Sequence, residues 1–192
     1  GLNASYYNTT TGAPTGAFVM EGVDASTSGD NYSFFAVLKD GTVMIGAKGE
    51  YSKYKGQIQE AIGGYIHIVK DGAIADGLDK VTKYPRQTIG MTADGKVITM
   101  TADGSQAPQT VGLTIYEQAQ VMIELGCVEA LHLDGGNSAT FGAIREGTDK
   151  FVTVNSPSGQ AERAVSNTLM IVSTAVADGT FDHAVISGDY DY

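Results

Sequence analysis

Three stretches of the sequence place an Asp-Gly pair between two runs of strand-forming residues. They are NYSFFAVLKDGTVMIG (31–46), YIHIVKDGAIAD (65–76) and TIGMTADGKVITMTADG (88–104). Asp-Gly readily adopts the positive φ angles that a tight hairpin requires. Each stretch is therefore predicted to form a β-hairpin, and together they favour a largely antiparallel sheet system. Their spacing is irregular, so they do not form a structural repeat.

One segment breaks the strand pattern and is predicted to be the principal helix. In LTIYEQAQVMIELG (113–126), Thr114 stands three residues before Glu117, which is the spacing of a helix capping box. Gly126 suits the left-handed position that follows the end of a helix. Apolar residues recur along the segment at helical spacing, namely Ile115, Ala119, Met122, Ile123 and Leu125.

Later strands are predicted at CVEALHLD (127–134), DKFVTV (149–154) and NTLMIVSTAV (167–176). The fold class is therefore α+β, with mainly antiparallel β-sheets packed around one principal helix at about 113–126. The 192 residues are 42% hydrophobic, which suffices for one core. We expect one domain over residues 1–186, followed at 187–192 by an acidic and aromatic tail or linker.

Composition and charge exclude several classes of protein. The net charge is −10 and lysine and arginine do not cluster, which argues against non-specific binding to nucleic acid. No apolar run approaches the roughly 18 residues of a membrane span, and no signal peptide opens the chain. The single cysteine, Cys127, excludes an internal disulfide and a multi-cysteine zinc site, and its apolar neighbours predict a core position.

The stretch ALHLDGGNSATF (130–141) places a carboxylate where a predicted buried strand ends and an exposed turn begins. Gly135 and Gly136 allow the backbone to approach a ligand closely, and their N–H groups can point outward as a small anion-binding nest beside Asp134. An aspartate before glycine also commonly serves only to cap a turn. From this stretch alone, the capping role and a functional role are both open.

The same stretch resembles the NLDGGGSS-type signature of the phosphodiester glycosidase family. Four other stretches resemble motifs of that family in the same order. GLNASYYNTTTGAPTG (1–16) is similar to A-x-N-G-x-F-F…G-x-P-x-G, AIGGYIHIVKDG (61–72) to G-G-x-x-L-x-x-x-G, YPRQTIGMTADGKV (84–97) to x-P-R-T-A-I-G-x-x-x-D-G-x, and ERAVSNTLMIV (162–172) to R-x-V-x-N-A-L-x-V. The predicted helix also matches a T-x-x-E-x-A-x-x-x-x-x-L-G pattern, so the resemblance covers nearly the whole chain.

The resemblance implies a hydrolase that cleaves a sugar-1-phosphodiester at the glycosidic side, releasing the sugar and leaving a phosphate monoester on the partner. The diester is anionic, and arginine suits it because the planar guanidinium fork matches phosphate oxygens. The sequence offers Arg86, Arg145 and Arg163, of which Arg86 and Arg163 fall inside the family-like motifs. These two are predicted catalytic residues, although a lone arginine more often forms a surface ion pair.

The reaction also requires a carboxylate near the anomeric carbon, which attacks that carbon, activates water or stabilises the oxocarbenium-like state. Asp134 is the predicted catalytic carboxylate. Because phosphate is already a good leaving group, charge stabilisation is expected to matter more than protonation by a general acid. A second carboxylate is not obvious, and Glu21, Asp24 and Glu162 are weaker candidates.

Five residues at motif positions are predicted to bind substrate: Asn3, Gly135, Gly136, Ser138 and Asn167. An asparagine amide can hold a sugar hydroxyl or a phosphate oxygen without adding charge. The alternatives are a turn residue or glycan acceptor for Asn3, an edge cap for Asn167 and a turn cap for Ser138. No general base is placed for Ser138, which argues against a serine hydrolase.

The sequence departs from the family signature at three positions. His132 stands where asparagine is usual, Asn137 where a third glycine is usual, and Ala139 where a second small hydroxyl residue is common. These changes could alter sugar selectivity or the shape of the nest. His132 alternates with Leu131 and Leu133, which predicts a hydrogen-bonded structural histidine.

The histidines are scattered, and the sequence has no HExxH pattern, so a catalytic zinc site is not predicted. His67 is interpreted as structural and His183 lies far from any motif. The implied reaction requires no cofactor. A divalent cation, Ca²⁺ or Mg²⁺, held by Asp134 and backbone oxygens is a further prediction.

Two functions of different classes follow. The first is a phosphodiester glycosidase acting on a cell-wall polymer, exopolysaccharide or glycan. The second is a catalytically inactive module of a cell-surface protein that binds carbohydrate or an anionic glycan in the same pocket. The lack of tryptophan argues against a sugar-stacking module, although the 10 tyrosines could substitute. The resemblance further implies an extracellular or cell-surface location within a larger multidomain protein.

Overall fold

The computed structural model describes residues 1–145, 148, 150–159 and 162–173. The strands in chain order are β1 (Leu2–Asn3), β2 (Phe18–Met20), β3 (Val23–Asp24), β4 (Phe34–Leu38), β5 (Val43–Gly46), β6 (Ile58–Gly63), β7 (Ile66–Lys70), β8 (Ala73–Ile74), β9 (Arg86–Thr92), β10 (Val97–Ala102), β11 (Cys127–His132), β12 (Gly142–Ile144), β13 (Phe151–Thr153) and β14 (Thr168–Leu169). The helices are α1 (Tyr51–Tyr54) and α2 (Ile115–Glu124).

Two five-stranded antiparallel sheets form the body of the fold. The first sheet has the strand order β10-β9-β11-β7-β8 and the second has the order β3-β2-β6-β4-β5. Apolar side chains from both sheets share one core, including Phe35 and Ile62 from the second sheet and Ile89 and Leu131 from the first. Burying each such side chain stabilises the fold by about 1.5–3 kcal/mol, so this shared core holds the two sheets face to face.

Helix α2 packs on the first sheet and confirms the predicted principal helix. Thr114 Oγ1 accepts a hydrogen bond from the Glu117 N–H at 3.0 Å, and the Glu117 carboxylate accepts one from the Thr114 N–H at 2.9 Å. Ala119 and Met122 are fully buried against the sheet. Gly126 has a φ of +86°, which is the left-handed conformation expected after the last turn.

The three Asp-Gly hairpins are also confirmed. Asp40-Gly41 joins β4 to β5, Asp71-Gly72 joins β7 to β8, and Asp94-Gly95 joins β9 to β10. Antiparallel sheets with one principal helix make the fold α+β, as predicted.

The three later strands are shorter than predicted. The strand expected at 127–134 ends at His132, because the Asp134 N–H bonds to the Ala4 carbonyl instead of a sheet neighbour. The strand expected at 149–154 spans Phe151–Thr153. Within the described residues, the strand expected at 167–176 is limited to Thr168–Leu169, since its partner β1 has only two residues. The described residues do not include the remainder of that predicted strand at 174–176. They also do not include His183 or the expected tail at 187–192.

Pairing of β1 with β14 brings distant segments of the chain together at one end of the first sheet. The Asn3 N–H donates to the Thr140 carbonyl and the Ala4 N–H to the Asn167 carbonyl, both at 3.3 Å. The start of β9, the end of β11 and the start of β7 meet at the same end. In the described part of the chain, no helix is long and apolar enough to cross a membrane.

Candidate active site

Asp134 lies at this end of the first sheet, where the chain leaves β11, and only 8% of the residue is exposed. Its N–H donates to the Ala4 carbonyl at 2.9 Å, and its carbonyl accepts from Asn3 Nδ2 at 2.7 Å. The carboxylate oxygen Oδ2 is buried and has no hydrogen-bond partner among the described residues. Burying a polar atom without a partner is costly, which marks this oxygen as a point that a ligand could satisfy.

The environment of Asp134 also changes its acidity. Burial raises the pKa of the Asp134 carboxyl to about 6, while a hydrogen bond from Ser138 and the positive charge of Arg163 act in the opposite direction. At pH 7 such a group is about 90% ionised. A carboxylate with a pKa near neutrality is suited to accept a proton or to attack an electrophilic carbon.

Asn3, which was predicted to bind substrate, braces the Asp134 turn. Its Oδ1 accepts hydrogen bonds from Gln87 Nε2 at 2.7 Å and from the Thr140 N–H at 2.9 Å, while its Nδ2 donates to the Asp134 carbonyl. These contacts tie β1, β9 and the turn after β11 to one side chain. Asn3 is therefore a positioning residue in this structure, and its direct contact with substrate stays a prediction.

The expected nest, with the N–H groups of Gly135 and Gly136 both pointing outward, is not formed, so that prediction is wrong. The Gly136 N–H donates to the Pro85 carbonyl at 2.9 Å, and the Gly135 N–H hydrogen-bonds to the Tyr6 hydroxyl. A Cβ atom on Gly135 would lie 2.6 Å from the Pro85 oxygen. Glycine is needed here because the start of β9 packs directly against the turn.

Ser138 and Asn167 contact the protein at the same end of the sheet. Ser138 is buried, and its hydroxyl hydrogen-bonds to the Asp134 carboxyl and lowers the pKa of that group. Asn167 Oδ1 accepts from the Ser5 N–H at 2.9 Å, whereas its Nδ2 is buried without a hydrogen-bond partner in the described part of the chain. Substrate contacts of both residues stay predictions.

Arg86 begins β9 and is 6% exposed. Its Nε donates to the Leu113 carbonyl at 2.8 Å and one Nη donates to the Thr82 carbonyl at 2.9 Å. It makes no salt bridge within residues 1–145, 148, 150–159 and 162–173. Burial lowers the pKa of Arg86, but a guanidinium stays charged in proteins. Its guanidinium carbon also lies 5.7 Å from the centre of the Tyr84 ring, and the charge of Asp79 acts on it. A buried cation without a salt bridge in the described part of the chain favours the arrival of an anion.

Arg163 differs from Arg86 because it is exposed. Its guanidinium carbon lies 5.7 Å from the centre of the Tyr7 ring, and the Tyr7 hydroxyl donates to the Ala164 carbonyl at 2.8 Å. The charge of Arg163 lowers the pKa of Asp134, so the two side chains interact electrostatically. The more exposed of the two predicted arginines is therefore coupled electrostatically to the predicted carboxylate.

Of the three weaker carboxylate candidates, Glu162 is the one that shares a cavity with predicted site residues. It lines a cavity of about 310 Å³ together with Asn3 and Arg163. Glu21 and Asp24 lie instead at the β2–β3 hairpin, on the edge of the second sheet. Glu162 is therefore the candidate to examine if a second carboxylate is required.

Tyr6 is a site residue that the sequence reasoning missed. Its hydroxyl lies 3.1 Å from His132 Nε2. Burial raises the pKa of Tyr6 to about 12; the charge of Asp134 adds to this rise, and the charge of Arg86 opposes it. Both charges therefore act on the Tyr6 hydroxyl. Tyr6 lies in the N-terminal family-like motif at 1–16, and this position was the one sequence signal for it. Residue type alone did not separate Tyr6 from the neighbouring Tyr7.

His132 is the buried, hydrogen-bonded histidine that was predicted. Burial lowers the pKa of His132 to about 3, and the charge of Arg86 acts in the same direction. The imidazole is therefore neutral at pH 7, and its tautomer decides whether it donates to Tyr6 or accepts from it. A neutral histidine adds no charge beside Asp134.

Cys127 is buried in the core between α2 and the first sheet, as predicted. Within the described residues, no group of three or more His, Cys, Asp or Glu residues is arranged to hold a metal ion. A Ca²⁺ or Mg²⁺ ion at Asp134 stays a prediction.

The site presents positive charge near a carboxylate that is mostly ionised at neutral pH. This combination suits a substrate that is anionic and also electrophilic at carbon, and glycosyl phosphates have both properties. The fold and the site therefore define an α+β domain with a buried carboxylate and two arginines at one end of a sheet, an arrangement that suits an anionic substrate.

Comparison of the sequence with models of known families identifies the family of this chain. The family model described as phosphodiester glycosidase matches residues 1–172. The chain belongs to the phosphodiester glycosidase family, in agreement with the resemblance of its motifs.

Individual relatives cover different shares of the chain. The SPbeta prophage-derived uncharacterized protein YomE of Bacillus subtilis is 38% identical over 111 residues, which are 55% of this chain and 16% of that protein. N-acetylglucosamine-1-phosphodiester alpha-N-acetylglucosaminidase of Mus musculus is 25% identical over 159 residues, which are 72% of this chain and 30% of that enzyme. The chain thus spans less than a third of the length of either relative.

A solved structure shows the same fold. The catalytic domain of zebrafish N-acetylglucosamine-1-phosphodiester alpha-N-acetylglucosaminidase has a TM-score of 0.69 with this chain at 22% sequence identity. The match covers 85% of this chain and 60% of the zebrafish chain. The two-sheet architecture with its packed helix is therefore an architecture of this family.

Proposed function

We propose that this domain hydrolyses a sugar-1-phosphodiester at its glycosidic side. The bond between the anomeric carbon and the phosphate oxygen breaks, and its electron pair leaves with the phosphate as a monoester on the partner. Water supplies the new oxygen on the sugar. One observation carries the proposal. The Gly136 N–H donates to the Pro85 carbonyl at 2.9 Å, which sets the buried Arg86 next to the turn that carries the buried Asp134, and the two charges make no salt bridge with each other.

Asp134 acts at the anomeric carbon in this proposal. Whether the carboxylate attacks that carbon or activates water, it must be ionised, and a group with a pKa of about 6 is mostly ionised at pH 7. Ser138 keeps the carboxylate oriented, and Asn3 fixes the backbone that carries it. The good leaving group removes the need for a strong general acid.

Arg86 and Arg163 bind the phosphate in this proposal. Arg86 supplies a buried charge held in place by two carbonyls, whereas Arg163 approaches from the exposed side. Charge on both sides stabilises the negative charge that develops on the departing phosphate oxygen. Because the sites of both charges are already formed, little reorganisation is needed during the reaction.

The identity of the substrate is also proposed. The mouse relative is named for N-acetylglucosamine-1-phosphodiesters, so these compounds come first among candidate substrates. We expect the natural substrate to be a cell-wall polymer, exopolysaccharide or glycan, met outside the cell or at its surface. Since the chain spans 16% and 30% of two relatives, we expect it to act within a larger multidomain protein.

The test is release of free sugar from a panel of UDP-sugars and synthetic sugar-1-phosphodiesters by the full chain. We expect Asp134→Asn to lower kcat/KM by at least about 10²-fold, the effect of losing a catalytic carboxylate. We expect Arg86→Ala to lower kcat/KM by a similar factor, with Arg86→Lys less affected. Lys96→Gln is the matched control, because Lys96 follows the far end of β9, about 20 Å from Arg86.

Circular dichroism must show that each variant keeps its fold. Turnover by Asp134→Asn at the rate of the unaltered chain would contradict the assigned role of the carboxylate. If no substrate is cleaved while a sugar phosphate binds and Arg86→Ala weakens that binding, the domain is the inactive glycan-binding module instead.

A further inference from the structure

Gln87 of β9 is a fully buried glutamine whose side chain reaches the segments that hold Asp134. Its Nε2 donates to Asn3 Oδ1 at 2.7 Å and to the Thr140 carbonyl at 2.8 Å. Its Oε1 accepts a hydrogen bond from the Thr101 hydroxyl of β10. Both ends of the Gln87 amide are therefore paired, which a buried polar group requires.

The backbone of Thr140 decides which way the Asn3 and Gln87 amides point. The Thr140 N–H can only donate, and it bonds to Asn3 Oδ1 at 2.9 Å. The Thr140 carbonyl can only accept, and it receives Gln87 Nε2. Asn3 therefore turns its oxygen towards Gln87 and its Nδ2 group away from it. Gln87 Nε2 is the second donor on that oxygen and holds the Asn3 amide in this orientation.

The orientation of the Asn3 amide controls the peptide bond that follows Asp134. Asn3 Nδ2 donates to the Asp134 carbonyl at 2.7 Å, and the N–H of the same peptide, that of Gly135, hydrogen-bonds to the Tyr6 hydroxyl. Because a peptide unit is planar, these two contacts on its opposite sides set its rotation. Rotation of this plane changes the backbone angle ψ of Asp134 and so shifts its carboxylate relative to the turn.

We propose that Gln87 is a positioning residue that fixes the Asp134 carboxylate by acting through Asn3. The inference rests on the proposed function, since that function assigns the carboxylate to the anomeric carbon. Without Gln87 Nε2, one donor is left on Asn3 Oδ1, so the amide turns more freely and the Asp134 carbonyl loses its partner part of the time. The fraction of molecules with a well-placed carboxylate falls, and kcat falls with it.

Gln118 provides the matched control. It is also a fully buried glutamine, on α2, and its Nε2 donates to the backbone carbonyl of Gln87 at 3.0 Å and to the Thr88 hydroxyl. Replacing either glutamine by methionine nearly keeps the volume and removes a buried amide, so both variants lose stability. Only Gln87→Met removes a donor from Asn3. Melting temperatures show whether the two losses of stability are comparable.

The first measurement is solvent exchange of the Asn3 side-chain amide protons, followed by ¹⁵N NMR of the full chain. Asn3 is 2% exposed, so these protons should exchange slowly, and their signal is assigned by its loss in Asn3→Ala. We expect Gln87→Met to speed this exchange at least about tenfold and Gln118→Met to leave it within about twofold. Gln87→Asn, whose amide is one methylene shorter, should also speed it and decides the inference if Gln87→Met does not fold.

The second measurement is kcat and KM for one sugar-1-phosphodiester. We expect Gln87→Met to lower kcat at least about tenfold and to leave KM within about twofold, because the carboxylate is displaced while the arginines stay in place. In an Asn3→Ala background, Gln87→Met should lower kcat by less than a further factor of about two, since its route to Asp134 is already lost. Gln118→Met should keep kcat within about twofold.

Each outcome decides the inference. Unchanged exchange in Gln87→Met, or equal acceleration in Gln118→Met, overturns it. In a chain that cleaves diesters, an unchanged kcat in Gln87→Met, or an additive loss of kcat when Asn3→Ala is also present, overturns it as well. Faster exchange confined to Gln87→Met in a chain that cleaves no diester supports the control of the Asp134 turn through Asn3 and overturns the proposed hydrolysis.

Discussion

Asp40, Asp94 and Asp134 all precede a glycine, yet their carboxylates have opposite properties. At the exposed hairpins, the N–H of Thr42 hydrogen-bonds to Asp40 at 2.9 Å and Lys96 pairs with Asp94 at 2.7 Å. These contacts lower the pKa values of both aspartates. At the end of β11, burial instead raises the pKa of Asp134 to about 6. The same dipeptide therefore carries a carboxylate of lowered pKa at the hairpins and one of raised pKa at the end of β11, and burial makes the difference.

The glycines that follow these aspartates differ as well. Gly41 and Gly95 have φ values of +87° and +83°, and a Cβ on either would meet nothing within 4 Å. Gly135 has a φ of −110°, but a Cβ there would lie 2.6 Å from the Pro85 oxygen. The hairpin glycines are required for backbone conformation, whereas Gly135 is required for space.

The largest expected effect concerns the pH dependence of turnover. If Asp134 acts as an ionised carboxylate, kcat/KM should fall as pH drops through about 6, and it should be about 90-fold lower at pH 4 than at pH 7. The measurement is kcat/KM for one sugar-1-phosphodiester across this range, with circular dichroism at each pH.

Asp40→Asn is the control for this profile. Because Asp40 is exposed at a hairpin, the variant should reproduce the profile of the unaltered chain. A kcat/KM that rises as the pH falls would show that the protonated form is active, and Asp134 would then act as a general acid.

The next effect concerns stability. An acid whose pKa is raised in the folded state stabilises the fold below its ordinary value of 3.8, and this contribution is lost as pH rises through about 6. Asp134→Asn removes the charge, so it should raise the free energy of unfolding by about 2–3 kcal/mol at pH 7 and hardly at all at pH 4. Urea denaturation at the two pH values measures the difference.

For Asp40 the sign is reversed. The hydrogen bond from the Thr42 N–H lowers its pKa, so its contribution is present at neutral pH and is lost on acidification. Asp40→Asn should therefore not stabilise the protein at pH 7. A gain in stability for Asp40→Asn equal to that for Asp134→Asn would mean that burial does not separate the two carboxylates.

Local signals explain why much of the fold could be predicted from the sequence. Thr114 and Glu117 mark the start of α2 within four residues, and Asp94-Gly95 sets its hairpin without help from the rest of the chain. The position of Asp134 just after a buried strand could be predicted because it lies inside a family-like motif, whereas its catalytic role stays a prediction. In each case the pattern and the structure that it specifies lie in one short segment.

The rest of the site depends on contacts between distant segments. Tyr6 reaches His132 across 126 positions of sequence, and the Pro85 carbonyl takes the Gly136 N–H that was expected to bind an anion. Neither contact follows from residue type or spacing, because the packing of β9 against the turn decides both. The short β14 has the same explanation, since its length is set by its partner β1.

The smallest expected effect compares Gly135→Ala with Gly95→Ala. An alanine at position 135 forces the Pro85 carbonyl to move, which should cost about 1–3 kcal/mol. An alanine at position 95 must adopt a left-handed φ, which should cost about 1–2 kcal/mol. The two losses of stability are therefore similar, and urea denaturation measures both.

The two glycine variants, Gly135→Ala and Gly95→Ala, should differ in kcat/KM although they lose similar stability. Moving the Pro85 carbonyl displaces the adjoining Arg86, so Gly135→Ala should lower kcat/KM at least about tenfold. Gly95 lies beyond the other end of β9, about 20 Å away, and Gly95→Ala should keep full turnover. Equal loss of turnover in both variants would mean that the site responds to strain anywhere along β9. Gly95 and Gly135 would then differ only in backbone conformation. The tight packing of Pro85 on Gly135 would have no specific part in catalysis.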